Sequence, residues 1–593
     1  MAAARTSTKV GKLRPSQAVM QQGPGSIVDL PTLSVVMAAS TRWNKGGADR
    51  VSEPRLEAFL RVEALYRPPV PGPQKFGGLP AFVFPEFMVC PVCRRLDRKG
   101  RYSWLDRRGE YQCDAHNTPV VVFPARLIEA CSRGHLDDFR WAEWAHKSRT
   151  DCDADLELKD LGFSGSINDL WVQCKKHKDA RRSLGAAFGH DPLGDCSGRR
   201  PWLSPDHYDE APCTSPPRAI LRGASNAYFP VITSALSVPP WSDPIQMDVA
   251  PYREALKKVD SVEKLRLGVE HDLYDLGGLL SSYTLDEIAQ ALLAKPGEGD
   301  DLREREYSAF THPEDSVEPG AEFKVARVAV NTSVQPFISD VVAGQRLREV
   351  RALRGFTRID SAFDLGESTD VAVLDLRMSY PGTKGDNWLP AIELRGEGVF
   401  LKLNESRLVD WETSPPVRQR GDRFQKLYSE WLSDRVDRPL SELPSFPGMR
   451  YVLLHSLAHV LMRQMALDCG YSSSALRERI YSASEPPMSG LVIYTASADS
   501  EGSLGGLVDL AKPDRLAALV LEALEGSLFC SSDPLCGDRD AGTAGNLNAA
   551  ACHACLLMPE TCCEYGNRLL DRSVLVETVG QRDLSFFDPS YGR

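Results

Sequence analysis

The sequence lacks the features that would place it in or across a membrane. No run of apolar residues approaches the roughly 18 that a membrane-spanning helix needs. The opening stretch, MAAARTSTKV, has no apolar segment like that of a signal peptide. A G-x4-G-K-[ST] phosphate loop and the paired acidic motif of helicases are also missing. We therefore expect a cytoplasmic protein that has no membrane partner and does not hydrolyse ATP on its own.

The bulk composition is that of a globular protein with excess negative charge. The chain has 593 residues, a hydrophobic content of 42% and a net charge of −11. This length predicts several domains. The negative charge argues against nonspecific coating of nucleic acid by the whole surface, but it leaves room for a local basic patch.

We predict an α+β, multidomain protein. Turn formers dominate residues 1–50, with a short ordered piece at Ser26–Leu30, and Pro-rich linkers lie at 68–73 and 439–447. The predicted parts are an extended lead-in (1–85), a zinc module of ribbon or knuckle type (86–213), a mixed α/β region (214–447) and a C-terminal α/β domain closed by a Cys-rich zinc site (448–593).

Apolar spacing predicts several helices and strands in the second half of the chain. The predicted helices are Tyr252–Val259, Leu285–Leu293, Val417–Ser433, Arg450–Leu467 and Arg515–Leu524. The predicted strands are Val371–Arg377, Trp388–Leu394, Val399–Leu403 and Gly490–Ala496, with a turn at 396–398. The acidic stretch 301–325 is predicted to be a loop.

Cysteines occur near both ends of the chain, with none between Cys213 and Cys469. In a reducing compartment, clustered cysteines favour metal binding over disulfides. Two turns of C-x2-C or C-x2-H type are separated by nineteen residues, which is zinc-ribbon or knuckle spacing. The predicted ligands of this first site are Cys90, Cys93, Cys113 and His116.

A second N-terminal site is expected, with its ligands left open. The six candidates for four positions are Cys131, His135, Cys152, Cys174, His177 and Cys196. The x2 spacing makes Cys174 and His177 the safest pair. Cys131 and His135 could instead bind together from one helix edge. We expect one further zinc ion from this set.

At the C-terminus, six sulfurs compete for one tetrahedral site. Cys552 and Cys555 form the anchor pair, and Cys536 with either Cys530 or Cys563 would complete the site. A structural zinc site has no open position, so these ligands would hold the fold and do no chemistry. The cofactor prediction for the whole chain is Zn²⁺ at two or three sites.

Two basic runs adjoin the N-terminal ligands. Aromatic residues follow the first run, and basic side chains with aromatic neighbours form a common nucleic-acid surface, so we expect DNA contact here. The alternative is a solvated face. The predicted contact residues are Arg94, Arg95, Arg98, Lys99, Arg101, Lys175 and Lys176, and the second run continues to Arg181 and Arg182.

One pattern leaves an enzymatic alternative open. His455 and His459 share a helix face, as in the metalloprotease motif H-E-x-x-H, but Ser456 stands where the general-base Glu belongs. Asp499 and Glu501 lie in a Gly-rich stretch that could make a phosphate-binding nest. These four residues would serve a hydrolase or nuclease. The simpler interpretation is a pair of core histidines and a close turn.

Several stretches taken together resemble one known family. They are GPGSIVD (23–29), CSRGHLDDF (131–139), RGASNAYFP (222–230), GFTR (355–358), LPAIE (389–393), GEG (396–398), HSLAH (455–459), ACHACLLMPE (551–560) and LDR (570–572). The set spans nearly the whole chain. It resembles the DrmB family, the helicase-associated subunits of the bacterial DISARM antiphage systems.

The resemblance implies a non-catalytic partner of a separate superfamily 2 helicase, DrmA, with which it would bind foreign DNA. It also implies a four-cysteine C-terminal domain like that of certain DNA-repair helicases. In the family the last cysteine precedes Glu, which favours Cys563 over Cys562. One departure is Cys174-x2-His177, where relatives have C-x2-C, and zinc tolerates this change.

Overall fold

The computed structural model describes residues 9–44, 48–70, 78–153, 155–162, 166–188, 194–253, 255–297, 301–313, 320–361, 374–375, 387–434, 444–495, 506–542 and 547–587. Helices and mainly antiparallel sheets are mixed along these ranges, which confirms the predicted α+β class. Within the same ranges, no helix combines the length and the apolar character needed to cross a bilayer.

The α-helices are short in the first half of the chain and longer in the second. They are α1 (Pro15–Met20), α2 (Pro54–Leu60), α3 (Trp141–His146), α4 (Pro244–Val249), α5 (Val262–Glu270), α6 (Gly277–Leu280), α7 (Leu285–Leu293), α8 (Leu302–Thr311), α9 (Glu405–Thr413), α10 (Pro415–Ser433), α11 (Met449–Cys469), α12 (Gly506–Leu510) and α13 (Pro513–Gly526).

The strands are short before residue 229 and long after it. The first half holds β1 (Ile27–Asp29), β2 (Ser34–Met37), β3 (Arg50–Val51), β4 (Ala64–Tyr66), β5 (Ala81–Val83), β6 (Phe87–Val89), β7 (Arg95–Arg98), β8 (Ser103–Leu105), β9 (Glu110–Cys113), β10 (Val120–Val121), β11 (Phe123–Pro124), β12 (Leu127–Ala130), β13 (Leu136–Asp138), β14 (Leu156–Asp160), β15 (Leu170–Cys174), β16 (Arg181–Ser183) and β17 (Arg218–Leu221). The second holds β18 (Phe229–Leu236), β19 (Phe323–Val328), β20 (Ile338–Thr357), β21 (Leu374–Asp375), β22 (Trp388–Leu403), β23 (Leu476–Ser484) and β24 (Pro487–Thr495).

A nine-stranded sheet forms the centre of the molecule. Its main path is β18-β20-β22-β24-β23, with β19 and β21 paired to β20, and with β3 and β4 reached through β22. The long strands β20 and β22 pair antiparallel from Ile338↔Leu403 to Ala352↔Ala391, with register shifts between Ile338 and Asp340 and between Gly344 and Leu347. Both are buried along most of their length. Helix α11 lies against β23 and β24 and, on its other sides, against α13 and the segment 547–587.

The metal-rich N-terminal part is built from smaller sheets. A six-stranded sheet runs β11-β6-β7-β14-β15-β16, and β8, β9 and β10 form a separate three-stranded sheet. Helix α3 packs on β15 and β16, where the Trp144 indole N–H donates to the Ser183 carbonyl at 3.2 Å. The cysteines and histidines lie at the ends of these strands and of α3 and in the loops between them.

Most predicted helices and strands of the C-terminal half are confirmed. Leu285–Leu293 matches α7, which begins at a capping box between Thr284 and Glu287. The predicted helices at 417–433, 450–467 and 515–524 correspond to α10, α11 and α13, and the strand at 490–496 corresponds to β24. Of the strand predicted at 371–377, residues 374–375 are described and pair with β20, and the rest lies outside the described residues.

Three predictions of secondary structure are wrong. The chain forms a 3-10 turn at Ala250–Tyr252 followed by turns, where a helix over Tyr252–Val259 was expected. The stretch 301–325 contains α8, whose N-terminus is capped by the Asp301 side chain. No turn occurs at 396–398, which lies inside β22. A Cβ on Gly396 would stand 1.7 Å from the Thr495 carbonyl oxygen, so this glycine permits close approach of β24.

Residues 9–44 are also more ordered than the predicted lead-in. Helix α1 buries Ala18 and Val19, and β1 and β2 pair with each other and with β5. The domain boundaries stay a prediction, and the nine-stranded sheet takes strands from both sides of position 447.

Candidate metal centres

Among the described residues, cysteine, histidine and glutamate side chains converge in five groups, each with four potential ligand atoms within 4.8 Å of one another. All fifteen cysteines are free thiols. Zn–N bonds of about 2.0–2.1 Å and Zn–S bonds of about 2.3 Å place the corners of a zinc tetrahedron roughly 3.3–3.8 Å apart. The distances in each group lie near that range, so the residues of every group fit a tetrahedral ion.

The first group brings together the predicted residues Cys90, Cys93, Cys113 and His116. Sγ of Cys90 lies 3.2 Å from Nε2 of His116, and the sulfurs of Cys93 and Cys113 are 3.9 Å apart. Burial raises the pKa of the Cys90 thiol, but hydrogen bonds from the backbone of Cys93 and Val92 outweigh it and bring the pKa to about 7. A thiol with that pKa is readily converted to the thiolate that zinc binds.

The second group consists of Cys131, His135, Cys196 and Cys213. His135 Nδ1 lies 3.4 Å from Cys131 Sγ and 3.5 Å from Cys196 Sγ, and the sulfurs of Cys131 and Cys213 are 3.9 Å apart. The other ring nitrogen, Nε2, lies 2.8 Å from the Asp209 carboxylate. A carboxylate behind the imidazole orients the ring and is typical of metal-binding histidines.

The third group consists of His146, Cys152, Cys174 and His177. His177 Nδ1 lies 3.5 Å from Cys152 Sγ and 3.7 Å from Cys174 Sγ, and the two sulfurs are 4.0 Å apart. His146, at the end of α3, places its ring 5.0 Å from that of His177. Helix, strand and loop thus each contribute to this group.

The six candidate ligands of the second predicted site therefore fall into two separate groups. The sequence analysis predicts only one further zinc ion from them. Cys213 and His146 complete these groups and were missed, because neither belongs to a C-x2-C or C-x2-H turn. Cys213 reaches its position through an isolated antiparallel bridge with Cys196. His146 is placed by the packing of α3 on β15.

The fourth group, Cys530, Cys536, Cys552 and Cys555, resolves the C-terminal alternatives. The sulfurs of Cys530 and Cys552 are 3.5 Å apart, and Cys555 Sγ lies 3.7 Å from both Cys536 and Cys552. Cys530 is thus the fourth member. Cys563 lies outside this group, so the geometry favours Cys530 over Cys563 as its fourth member.

Cys563 belongs to a fifth group, with His455, His459 and Glu478. Both histidines and the glutamate are buried, with exposed fractions of 0%, 0% and 1%. Burial raises the pKa of Glu478, but the adjacent His455 and His459 outweigh it, so this pKa lies far below its ordinary value. Burial lowers the pKa of His455 and raises that of Cys563.

Two of the four residues predicted for a hydrolase or nuclease, His455 and His459, lie in the described part of the chain. His455 and His459 share a helix face as expected, but they face the protein interior. Asp499 and Glu501 lie outside the described residues, and α12 begins at Gly506. The interpretation of core histidines therefore fits the burial, with the addition of Glu478 and Cys563, which the sequence pattern did not identify as their neighbours.

The two basic runs differ in their surroundings. In the first run, Arg95 pairs with Asp97 at 2.6 Å, and Arg98 and Lys99 pair with Glu86 at 3.3 and 3.1 Å. Arg94 and Arg101 are at or near the surface. In the second, Lys175 and Lys176 are exposed, and Lys176 lies 3.8 Å from the Asp153 carboxylate.

An open groove of about 590 Å³ adjoins the second run and the third metal group. The lining residues are Lys147, Trp171, Arg181, Arg182, Ser183 and Ala186. Lys147 and Arg181 are exposed, and the Arg182 guanidinium lies 3.7 Å from the ring centre of Trp144. We call this the basic groove. It presents cationic and aromatic groups together.

Comparison with known proteins identifies the family. The chain is 32% identical over 576 residues to the DISARM protein DrmB of Bacillus paralicheniformis, with 93% of this chain and 98% of that protein covered. The chain belongs to the DrmB family. The family resemblance inferred from the sequence motifs is thereby confirmed.

Family models cover two parts of this DrmB-family chain. Residues 457–556 match the MrfA Zn-binding domain, and this range includes the fourth metal group and ends before Cys563. Residues 14–229 match a domain of unknown function, DUF8724. The crystal structure of the DUF1998 helicase MrfA bound to DNA aligns with 36% of this chain and 21% of that one, at 12% identity and a TM-score of 0.18. An alignment of that quality does not establish a shared fold.

Proposed function

We propose that this chain is a non-catalytic, zinc-containing accessory subunit of a cytoplasmic DISARM system. In this proposal it binds a DrmA-like superfamily 2 helicase of the SNF2 type and helps that helicase to engage foreign DNA. Zinc ions in the Cys/His groups make the subunit rigid.

The observation that carries the proposal is that each candidate metal position has four protein atoms at tetrahedral spacing. Catalytic zinc keeps one position for water or substrate, whereas structural zinc has four protein ligands. Zinc bound in these groups would therefore stabilise the fold, which suits an accessory subunit. The rival role, a hydrolase using His455 and His459, lacks support because both imidazoles are buried away from any substrate.

The helicase contact is supported by an exposed apolar pair beside the fourth metal group. Phe529 directly precedes the loop from Cys530 to Cys536 and Leu535 lies within it, and their exposed fractions are 79% and 81%. Contiguous exposed apolar surface is typical of protein interaction sites, and these two side chains would contribute to such a surface. We place the helicase contact at this loop.

Co-expression with the DrmA-like helicase tests this assignment. The double variant Phe529→Asp/Leu535→Asp should lose co-purification of the helicase while it keeps its zinc content. Leu273→Asp, at a residue with an exposed fraction of 71%, is the matched control and should keep the helicase. If both variants retain the helicase, the assigned loop is wrong. If the wild-type chain does not bind the helicase, the accessory role is wrong.

The DNA contact is supported by the basic groove. Acidic neighbours surround the first basic run, so we place the DNA backbone in the groove, against Lys147, Arg181 and Trp171. Guanidinium and ammonium groups neutralise phosphates, and an indole offers a stacking surface. The test is DNA binding by the complex with the helicase, with and without the variant Arg181→Ala.

A further inference from the structure

The group His455, His459, Glu478 and Cys563 lies outside the cysteine sites that the proposed function uses. His455 Nε2 is 3.0 Å from both Cys563 Sγ and Glu478 Oε1, and His459 Nε2 is 3.5 Å from the same carboxylate oxygen. These lengths fit the edges of a zinc tetrahedron, roughly 3.3–3.8 Å, to within a few tenths of an ångström. We propose that these four residues bind a Zn²⁺ ion of their own.

The His459 ring is oriented as in a metal site. Its Nδ1 lies 2.8 Å from the Leu556 carbonyl oxygen, so Nδ1–H donates there and Nε2 keeps its lone pair toward the group. Nε2 has no hydrogen-bond partner among the described residues. A buried nitrogen lone pair that faces a carboxylate oxygen is unfavourable unless a metal ion or a proton lies between the two, and we propose the metal ion.

The Cys563 sulfur is also oriented for metal binding. Cys563 Sγ accepts hydrogen bonds from the backbone N–H groups of Tyr565 at 3.3 Å and Asn567 at 3.1 Å. Two N–H donors stabilise a thiolate, which is the form that binds metal. The Glu564 N–H donates to Glu478 Oε1 at 3.2 Å, so the same turn also orients the carboxylate.

Charge balance points to a divalent cation. When a metal ion displaces the Cys563 thiol proton, the thiolate and the Glu478 carboxylate together carry two negative charges, and both groups are buried. In the described part of the chain, the ion pairs of Glu478 are with His455 and His459 only, and its Oε2 has no hydrogen-bond partner. One Zn²⁺ with two neutral imidazoles makes the group neutral. Two imidazoles and a thiolate favour zinc over magnesium or calcium.

Such an ion would join parts of the chain that are far apart in sequence. His455 and His459 are on α11, Glu478 is on β23, and Cys563 follows the fourth metal group. The four cysteines of the fourth group all lie between 530 and 555, so they do not tie that segment to the sheet. The proposed ion would add a metal-mediated connection to the hydrogen bonds that already join β23 to this segment, such as Ile480 N–H to Glu564 at 3.1 Å. It is independent of helicase or DNA binding.

The cysteine doublet offers a matched pair of variants. Cys562 and Cys563 are both buried, but the Cys562 thiol faces the Ser473 carbonyl at 3.0 Å and belongs to none of the five groups. We expect Cys563→Ser to lose one equivalent of zinc per chain and Cys562→Ser to lose none, by elemental analysis of the purified full chain. Equal zinc content in wild type and folded Cys563→Ser would overturn the proposal.

A second measurement does not depend on the folding of a variant. Anomalous X-ray scattering from wild-type crystals, collected at the zinc absorption edge, should give a peak between Glu478 Oε1 and Nε2 of His455 and His459. If the cysteine groups give anomalous peaks and the position beside Glu478 gives none, the histidines form an imidazolium–carboxylate pair with no metal. That result would refute the proposal. The helicase co-purification test would be unaffected by that result.

Discussion

Cys563 Sγ lies 3.0 Å from Nε2 of His455, a residue 108 positions earlier in the chain. The preceding thiol, Cys562, faces the Ser473 carbonyl oxygen. Adjacent sulfurs that look equivalent in sequence therefore have different surroundings. One belongs to a buried group of potential ligands, and the other bonds to the backbone of the 3-10 turn Ser473–Ala475.

Removal of a cysteine from the fourth metal group should release zinc and destabilise the C-terminal domain. Cys552→Ser should lose one equivalent of zinc and most of the domain's stability, because apparent zinc-binding free energies of about 10–16 kcal/mol are folding free energy at such sites. Elemental analysis with thermal melting measures both effects.

Cys469→Ser is the control for that experiment. Cys469 is half-buried, lies in none of the five groups and bonds to the Gly506 carbonyl oxygen at 3.7 Å. The Cys469→Ser variant should keep the zinc content of the wild type and melt near the wild-type temperature. Full zinc content in Cys552→Ser would contradict the assignment.

The buried ion pair of Arg479 and Glu306 should contribute strongly to stability. Arg479 Nη2 lies 2.7 Å from Glu306 Oε1, and both residues are almost fully buried. Arg479→Met leaves the Glu306 carboxylate without its partner, which should lower the free energy of unfolding by about 3–5 kcal/mol. Lys264→Met, which removes the exposed pair with Asp260, should change it by less than about 1 kcal/mol. If urea unfolding gives similar losses of unfolding free energy for Arg479→Met and Lys264→Met, this prediction is contradicted.

Glu57 should give a pH-dependent contribution to stability. Burial raises its pKa above the ordinary 4.5, and this outweighs the attraction of Arg50. The folded state therefore holds the proton more tightly than the unfolded state, so the contribution is present below pH 4.5 and is lost as pH rises through the folded pKa. Relative to Glu57→Gln, the wild type should be more stable at pH 4.5 than at pH 7.5.

Urea unfolding of both proteins at several pH values measures that difference. Proton competition for zinc affects wild type and variant alike, so it cancels when the two free energies are subtracted. A difference that stays constant or increases with pH would show that the Glu57 carboxyl is charged in the fold.

The basic groove should give salt-dependent DNA binding. Arg181→Ala should weaken binding by the helicase complex and reduce the slope of log K against log salt concentration by about 0.9, the value for one lost phosphate contact on duplex DNA. Arg266→Ala removes an exposed arginine that pairs with Asp286 on the α5–α7 surface, and it should leave the slope unchanged. Equal slopes for Arg181→Ala and wild type would remove the groove from the DNA path.

Local sequence patterns identified the ligands that share one turn. Cys552 and Cys555 are close because a C-x2-C turn holds both, whatever the rest of the chain does. Cys213, His146 and Glu478 have no such spacing, and they join their groups through strand pairing and helix packing. Distant contacts of this kind are set by the tertiary fold, which a single sequence does not display.

The same distinction applies to the helices and strands. Helix α7 was predictable because its capping box and apolar face are local. Helix α8 was not, since its sequence LREREYSAFT is mostly polar and Tyr307 and Phe310 become buried only against the central sheet. Gly396 and Gly398 suggested a turn, whereas their role is to let β24 approach β22 closely.

Zinc content of the purified full chain tests the central claim most directly. Elemental analysis of folded protein, prepared without chelators, should give about one zinc ion for each of the five groups. Less than one equivalent per chain in folded protein would contradict the account, because the cysteines and histidines would then be packed together for a reason other than metal binding.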